Sequence, residues 1–288
     1  MEPMKAKKRA FYFYAFIVCF FAVVPLLVLY SLGYSLSTGY SLIERGGLYV
    51  FTPESGSYIY VNNELKKETG LFQKELFLQN LKPREYTVIV ANDLYWPWTK
   101  DIVVREKEVS PVFPLLVPRD LELREIKVST STPVVRGEYE KINALFAPTS
   151  TSTTPQSATV GVASTSPEAR AIEKKHMKVW SDGASVFASW IGNESRIPPY
   201  FCGDGGGACV PTIRVITQPS TIRHVDFYPG RDDAIILSSD EGVFAVELDI
   251  RTYQNAYPLY QGKNPDFRVE DDEVFVKDGS FIGQFMAL

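Results

Sequence analysis

FYFYAFIVCFFAVVPLLVLYSLGY, Phe11 to Tyr34, runs for 24 residues without one charged side chain. As a helix at about 1.5 Å per residue it would extend roughly 36 Å, enough to cross a hydrocarbon core of about 30 Å with some tilt. A soluble core helix carries a polar stripe at helical spacing, and this run has none. It is also about twice as long as the apolar part of a cleaved signal, and SLGYSLSTGYS behind it offers no small-x-small cleavage site. Cys19 follows Phe16, Ile17 and Val18, not the small residues of a lipoprotein signal. Lys5, Lys7, Lys8 and Arg9 precede the run, and the next charges are Glu44 and Arg45. Bases on the near side hold that end in the cytoplasm. The expectation is a single-pass signal anchor in the cell membrane: a cytoplasmic tail over 1–10, a span over 11–34, a tether over 35–45 and the bulk of the chain extracytoplasmic. Tyr12, Tyr14, Tyr30 and Tyr34 stand near its ends as interfacial aromatics do, and Pro25 predicts a bend.

The 288-residue chain leaves about 250 residues beyond this run, room for one or two domains. Setting aside the four bases and Glu2 of the tail leaves 26 basic and 33 acidic residues, a net charge of −7. A surface of that sign repels phosphate backbones, so nucleic acid is not an expected partner. Of three cysteines, Cys19 lies inside the apolar run and packs as a small apolar group. Cys202 and Cys209 bracket CGDGGGAC, and an oxidising exterior favours a disulfide over free thiols there. A structural zinc needs four ligands, and only His176 and His224 are left to add, neither at finger-like spacing, so no metal is expected.

From Leu48 the pattern changes to short strands. LYVFT, SYIYV, ELFL, YTVIVA, KDIVV and VFPLLV are punctuated by Pro53, Gly56, Asn62-Asn63, Gly70, Pro83, Asn92-Asp93 and Pro111. Such β-branched and aromatic runs between turn residues read as an antiparallel all-β unit. Asn62-Asn63 is a two-residue hairpin signal, because Asn tolerates the positive φ of a type I′ turn.

GGLYVFTPESGSYIYVNNE, LKPREYTVIVANDLYWPW and TKDIVV together resemble a PEGA domain. That family opens with a strand into Pro-Glu-Gly-Ala, and a later Leu-x-Pro-Gly-x-Tyr-x-Val leads on to Gly-Tyr. Here Pro53-Glu54-Ser55-Gly56-Ser57 carries one inserted residue and Ser for Ala, and Asn62-Asn63 replaces an Asp-Gly turn. Arg84 stands where Gly is usual, and Leu94-Tyr95 lacks the Gly. The resemblance covers 46–118. It implies a small β-sandwich on an envelope-facing protein and brings no catalytic residues.

A connecting segment over 119–146 contains RDLELREIKV and EYEKINALFA, each readable as a strand or a short helix. Residues 147–170, APTSTSTTPQSATVGVASTSPEAR, have no charge before Glu168 and too little apolar area to offset ordering entropy, so they read as a Ser/Thr/Pro linker open to O-glycans. Asn193-Glu194-Ser195 fits the N-glycan sequon. From 171 to 288 strands return. KVWSDGASVFASW, IILSSDEGVFAVELD and VFVKDGSFIGQF each place a turn between apolar strands, with Gly183, Gly242 and Gly279 spaced 59 and 37 apart. Removing an insertion of roughly twenty residues around CGDGGGAC brings both spacings near 40. HVDFYPGRDDAIILSSDEGVFAVELDIRT is similar to a blade of TolB-like or YWTD-like propellers. A propeller needs at least four blades of about 40 residues. Residues 171–288 are too few, so the strands pack otherwise, or take a strand from 115–146, or from a second chain.

No chemical motif emerges. There is no G-x-S-x-G, P-loop, G-x-G-x-x-G or H-E-x-x-H. Gly205-Gly206-Gly207 neither follows a clear strand nor opens a helix. His176 reads as exposed beside Lys174 and Lys175, and His224 as a structural residue opening a strand. Asp232-Asp233, Asp240-Glu241 and Glu270-Asp271-Asp272-Glu273 lack the alternation of a calcium loop and read as solvated turns. Trp96 and Trp98 make a candidate platform for stacking a sugar, against which stands the alternative that they cap the core. The expected fold is therefore all-β with one transmembrane helix: a PEGA-like β-sandwich, then a β-meander with blade-like strands. The expected role is a non-enzymatic extracytoplasmic scaffold or binding module for wall polymer, surface layer or a protein partner, with no cofactor and no catalytic residue. The alternatives are a carbohydrate-active hydrolase using the acidic loops, and a sensor for a separate signalling partner.

Overall fold

The computed structural model describes residues 6–31, 34–36, 42–127, 133–147, 171–202 and 208–286. The first five residues of the tail, linker residues 148–170 and Gly205-Gly206-Gly207 lie outside the described residues. What is described is mostly strand, and it divides into two compact units: Met1–Val88 with Ile102–Pro114, and Ile89–Asp101 with Leu115–Leu288. Residues 89–101, from within the 46–118 stretch, thus group with the second unit.

The first unit opens with helix α1, Ala6–Ser31. Its portion Phe11–Ser31, 21 residues of mean hydropathy 2.5, has no buried residue and is long and apolar enough to cross a membrane. The helix carries Pro25 internally and stops at Ser31. Tyr34 belongs instead to a short hairpin, β1 (Tyr34–Leu36) with β2 (Leu42–Glu44), so the helical run is shorter than the uncharged run.

Two sheets follow. β3 (Gly46–Phe51) pairs antiparallel with β6 (Glu75–Leu81) and parallel with β9 (Val109–Val112). The other sheet has the order β5-β4-β7-β8, from Glu64–Glu68, Tyr58–Val61, Arg84–Ala91 and Trp98–Val104. Burial alternates along β4, β7 and β8, so that sheet covers a core with one face, through residues such as Ile59, Val61, Val88, Ile102 and Val104. Asn62 and Asn63 both take positive φ between β4 and β5, the geometry that a two-residue primed turn requires. The Pro53–Ser57 turn is closed by polar groups: the Glu54 carbonyl accepts from Thr52 Oγ1 (3.0 Å) and Thr69 Oγ1 (2.9 Å), and Gly56 supplies a φ of 72°. VFPLLV is a strand only at Val112; Leu115, Leu116 and Val117 are buried without joining a ladder.

The second unit holds three four-stranded antiparallel sheets. The first runs β11-β12-β13-β14 (Ile172–Lys174, Met177–Asp182, Ser185–Trp190, Thr212–Thr217). The second runs β15-β16-β17-β18 (His224–Phe227, Ala234–Ser239, Gly242–Glu247, Ala256–Tyr260). The third places β19, β20 and β21 (Asp266–Glu270, Glu273–Asp278, Phe281–Phe285) in order and adds β10 (Leu123–Glu125), which pairs Leu123 with Phe285. The fourth strand of the third sheet thus comes from the connecting segment. Gly183 and Gly279 sit in the turns between the second and third strands of their sheets, with φ of 59° and 60°, whereas Gly242 is the first residue of β17, just past the corresponding turn. The disulfide loop falls in the long connection from Trp190 to Thr212.

Strands β12, β15 and β19, one from each sheet, pack in succession, and the three sheets do not close on themselves. Val179, Val186, Ile213, Val225, Phe227, Ile235 and Leu237 form the core between the first two sheets. Of the two ambiguous stretches in 119–146, the first supplies β10 and the second lies in helix α2, Pro133–Leu145. Ile142 of α2 packs with Ile126, Phe275 and Ile282. Arg268 donates to the Leu145 carbonyl (3.1 Å), a cation placed where a helix end favours one.

Candidate functional site

In WTKDIVV, strand alternation sends Trp98, Lys100, Ile102 and Val104 to the same side. That parity buries Lys100 completely. A buried ammonium needs anionic partners, since desolvating it unpaired costs several kcal/mol. Lys100 Nζ lies 2.5 Å from Glu247 Oε1 and 3.5 Å from Asp249 Oδ1, and donates to the Asp249 carbonyl at 2.5 Å. Glu247 closes β17, is itself 5% exposed, and accepts from Trp98 Nε1 (2.8 Å) and Asn255 Nδ2 (2.8 Å). Tyr257 Oη donates to the Pro97 carbonyl (3.0 Å). Asp249 and Arg251 form a two-pronged pair at 2.9 and 2.7 Å, and Arg231 grips Asp233 in the same way at 2.7 Å on both arms. Burial pushes the Glu247 carboxyl up, partly offset by Lys100. Burial also acts on Asp249, but Arg251 and Lys100 outweigh it and hold that carboxyl below its ordinary range. Three acids thus stand with three bases. This arrangement fastens residues 97–101 to β17 and β18.

A second polar cluster lies where β15 meets β19. His224 and Asp226 share one face of β15, opposite Val225 and Phe227, which enter the core. Arg268 of β19 pairs with Asp266 (2.9 Å), and His224 meets Phe267 edge-on at 4.9 Å between ring centres. Burial, then repulsion by Arg268, pulls the His224 imidazole down to about 4, against a smaller opposing pull from Asp266. Its buried Nε2 has no hydrogen-bond partner. Burial pushes Asp226 up, against Lys174 and Arg268, which favour its charged form. At neutral pH the imidazole is uncharged.

The two tryptophans do not form a stacking platform. Trp98 is 2% exposed with its indole N–H committed to Glu247, so it has no face to offer a sugar. Trp96 is half-buried with the Arg119 guanidinium 5.8 Å from its ring centre. Cys202 and Cys209 are joined in a disulfide. His176 is exposed and meets Trp190 edge-on. Asp271 and Asp272 occupy the β19–β20 turn with positive φ, and Asp272 accepts from the Gly230 N–H (3.2 Å) and pairs with Lys174 (3.5 Å). Asp240 pairs with Arg223. Asn193 caps a short 3-10 turn, accepting from the Ser195 backbone N–H and hydroxyl (both 2.9 Å). Among the described residues no group of three or more His, Cys, Asp or Glu is placed to hold a metal ion. The Lys100 network was missed in the sequence, although the parity of WTKDIVV and the acid ending GVFAVE both signal it.

Compared with known proteins, the chain matches no family model and none of the curated proteins at a significant level.

Replacing Lys100 with Met strands the Glu247 charge and should lower stability by about 3–5 kcal/mol in urea unfolding. Adding Glu247→Gln to that variant should recover most of the loss, since the carboxamide oxygen still accepts from Trp98.

His224 sets a pH dependence. Its folded pKa of about 4 lies below the unfolded value of 6.5, so the unfolded chain takes up the proton first. Its contribution is complete above about pH 6.5 and is lost as pH falls toward 4, on the order of 1–3 kcal/mol. The difference between wild type and His224→Gln in urea midpoint should therefore change across that window and stay flat above pH 7.

Proposed function

We propose that this chain is a single-pass protein of a bacterial cell envelope, with its N-terminus cytoplasmic and its β-rich units outside. The reading treats the first sheets as a PEGA-like sandwich and the three sheets of the second unit as propeller-like blades. Its role is non-enzymatic: a scaffold or binding module for wall polymer, surface layer or a protein partner. The observation that carries it is α1, whose 21 uncharged residues leave no side chain buried and lead directly into β structure. Lys5, Lys7, Lys8 and Arg9 precede that uncharged portion, and bases at that end favour cytoplasmic retention. The pairing of Asp233, Asp240, Glu247, Asp249 and Asp272 with cations supports a binding role over acid–base chemistry.

The test incubates the detergent-solubilised full chain with purified peptidoglycan, wall polysaccharide and surface-layer extract. The expected result is saturable retention on one of them with no release of reducing sugar. Release of reducing ends that disappears on replacing a surface carboxylate would establish the hydrolase instead.

A further inference from the structure

Where α1 ends, the first unit forms an open pocket of about 370 Å³. That volume falls within the roughly 300–1,000 Å³ of small-molecule sites. Asn80 Nδ2 donates to Tyr30 Oη at 2.8 Å, so the wall of the cavity is tied to the last turn of the apolar helix. Tyrosine at that place on a spanning helix marks headgroup depth.

The lining joins two kinds of surface. Arg45 and Lys107 bring two cations, and Glu108 one acid. Lys107 is engaged with Glu44 (2.5 Å). Arg45 donates one Nη to the Asn80 carbonyl (3.1 Å), while its Nε–H is buried without a partner. A guanidinium lining a pocket supplies charge-assisted N–H donors that suit a phosphate oxygen. Phe77 and Val109, 48% and 51% exposed, supply the apolar part. Gly47 keeps the space between them open, because a Cβ there would approach Phe77 Cε2 to 3.3 Å and Val109 Cγ2 to 3.4 Å.

We propose that this cavity binds the phosphodiester of a phospholipid headgroup from the outer leaflet, with Arg45 taking the phosphate oxygens and Phe77 and Val109 meeting the glycerol end. The proposal rests on α1 spanning the membrane. The shared chemistry is a phosphate oxyanion, and its position at the end of the helix selects the lipid over free phosphate.

The test uses the full chain in nonionic detergent, with bound lipid read by native mass spectrometry. Phosphatidylglycerol, a phosphate-free glycolipid of the same acyl chains, and inorganic phosphate as competitor form its arms. One phosphatidylglycerol should be retained, with the glycolipid held about tenfold less and Arg45→Met reducing retention by about tenfold. Arg45→Lys, which keeps the charge but loses the planar fork, provides a second variant should Arg45→Met fail to fold, with a loss of about threefold or more. Equal retention of the glycolipid, or unchanged retention in a folded variant, overturns the proposal. Displacement by inorganic phosphate reassigns the cavity to free phosphate and also overturns it. A full chain that stays soluble without detergent removes the membrane reading itself, whereas a detergent-dependent chain that holds no lipid removes only this site.

Discussion

An uncharged helix that is apolar on every side has no stable place in water. With 21 residues between Phe11 and Ser31 exposed as they are in α1, about 25 cal/mol per Å2 of apolar surface opposes solvation. By length and hydropathy this stretch is able to cross a bilayer, where such side chains are satisfied. That constraint organises the rest of the account. Under the proposed anchoring, the acidic bulk of the chain lies outside, an oxidising exterior suits the disulfide, and the pocket beside Tyr30 sits at headgroup depth.

Charge burial is the second theme, and it is handled differently in the two clusters of the second unit. Around Lys100 each buried ion meets an opposite ion and further hydrogen bonds fill the remaining positions. Such a network seldom adds net stability over an apolar replacement, but removing one member is costly. Its value lies in specificity, because only one register of β8 delivers Lys100 to Glu247. Around His224 the imidazole remains neutral, held down by burial and Arg268.

Much of the local structure was legible in the sequence. Asn62-Asn63 and the glycines at 183, 242 and 279 worked as turn signals because few other residues accept those backbone angles. YTVIVA read as a strand because β-branched and aromatic residues fill it between turn residues, and it lies in β7. The connecting segment resisted reading because β10 has only three residues and is held by its partner β21, a long-range pairing with no local signature. Tyr34 was grouped with the helix on hydropathy alone, since composition does not show where a chain turns into a hairpin. Trp98 follows the core-capping alternative and not the platform, because strand parity puts its ring inside. The same parity argument would have found Lys100, had the charge not been taken as surface by default.

The most direct measurement is thiol labelling in intact cells, on a Cys19→Ser background, with a membrane-impermeant maleimide. The account predicts no labelling before reduction and labelling of both Cys202 and Cys209 after mild reduction, without breaking the cells. Labelling that appears only after lysis, with both thiols free from the start, would contradict it.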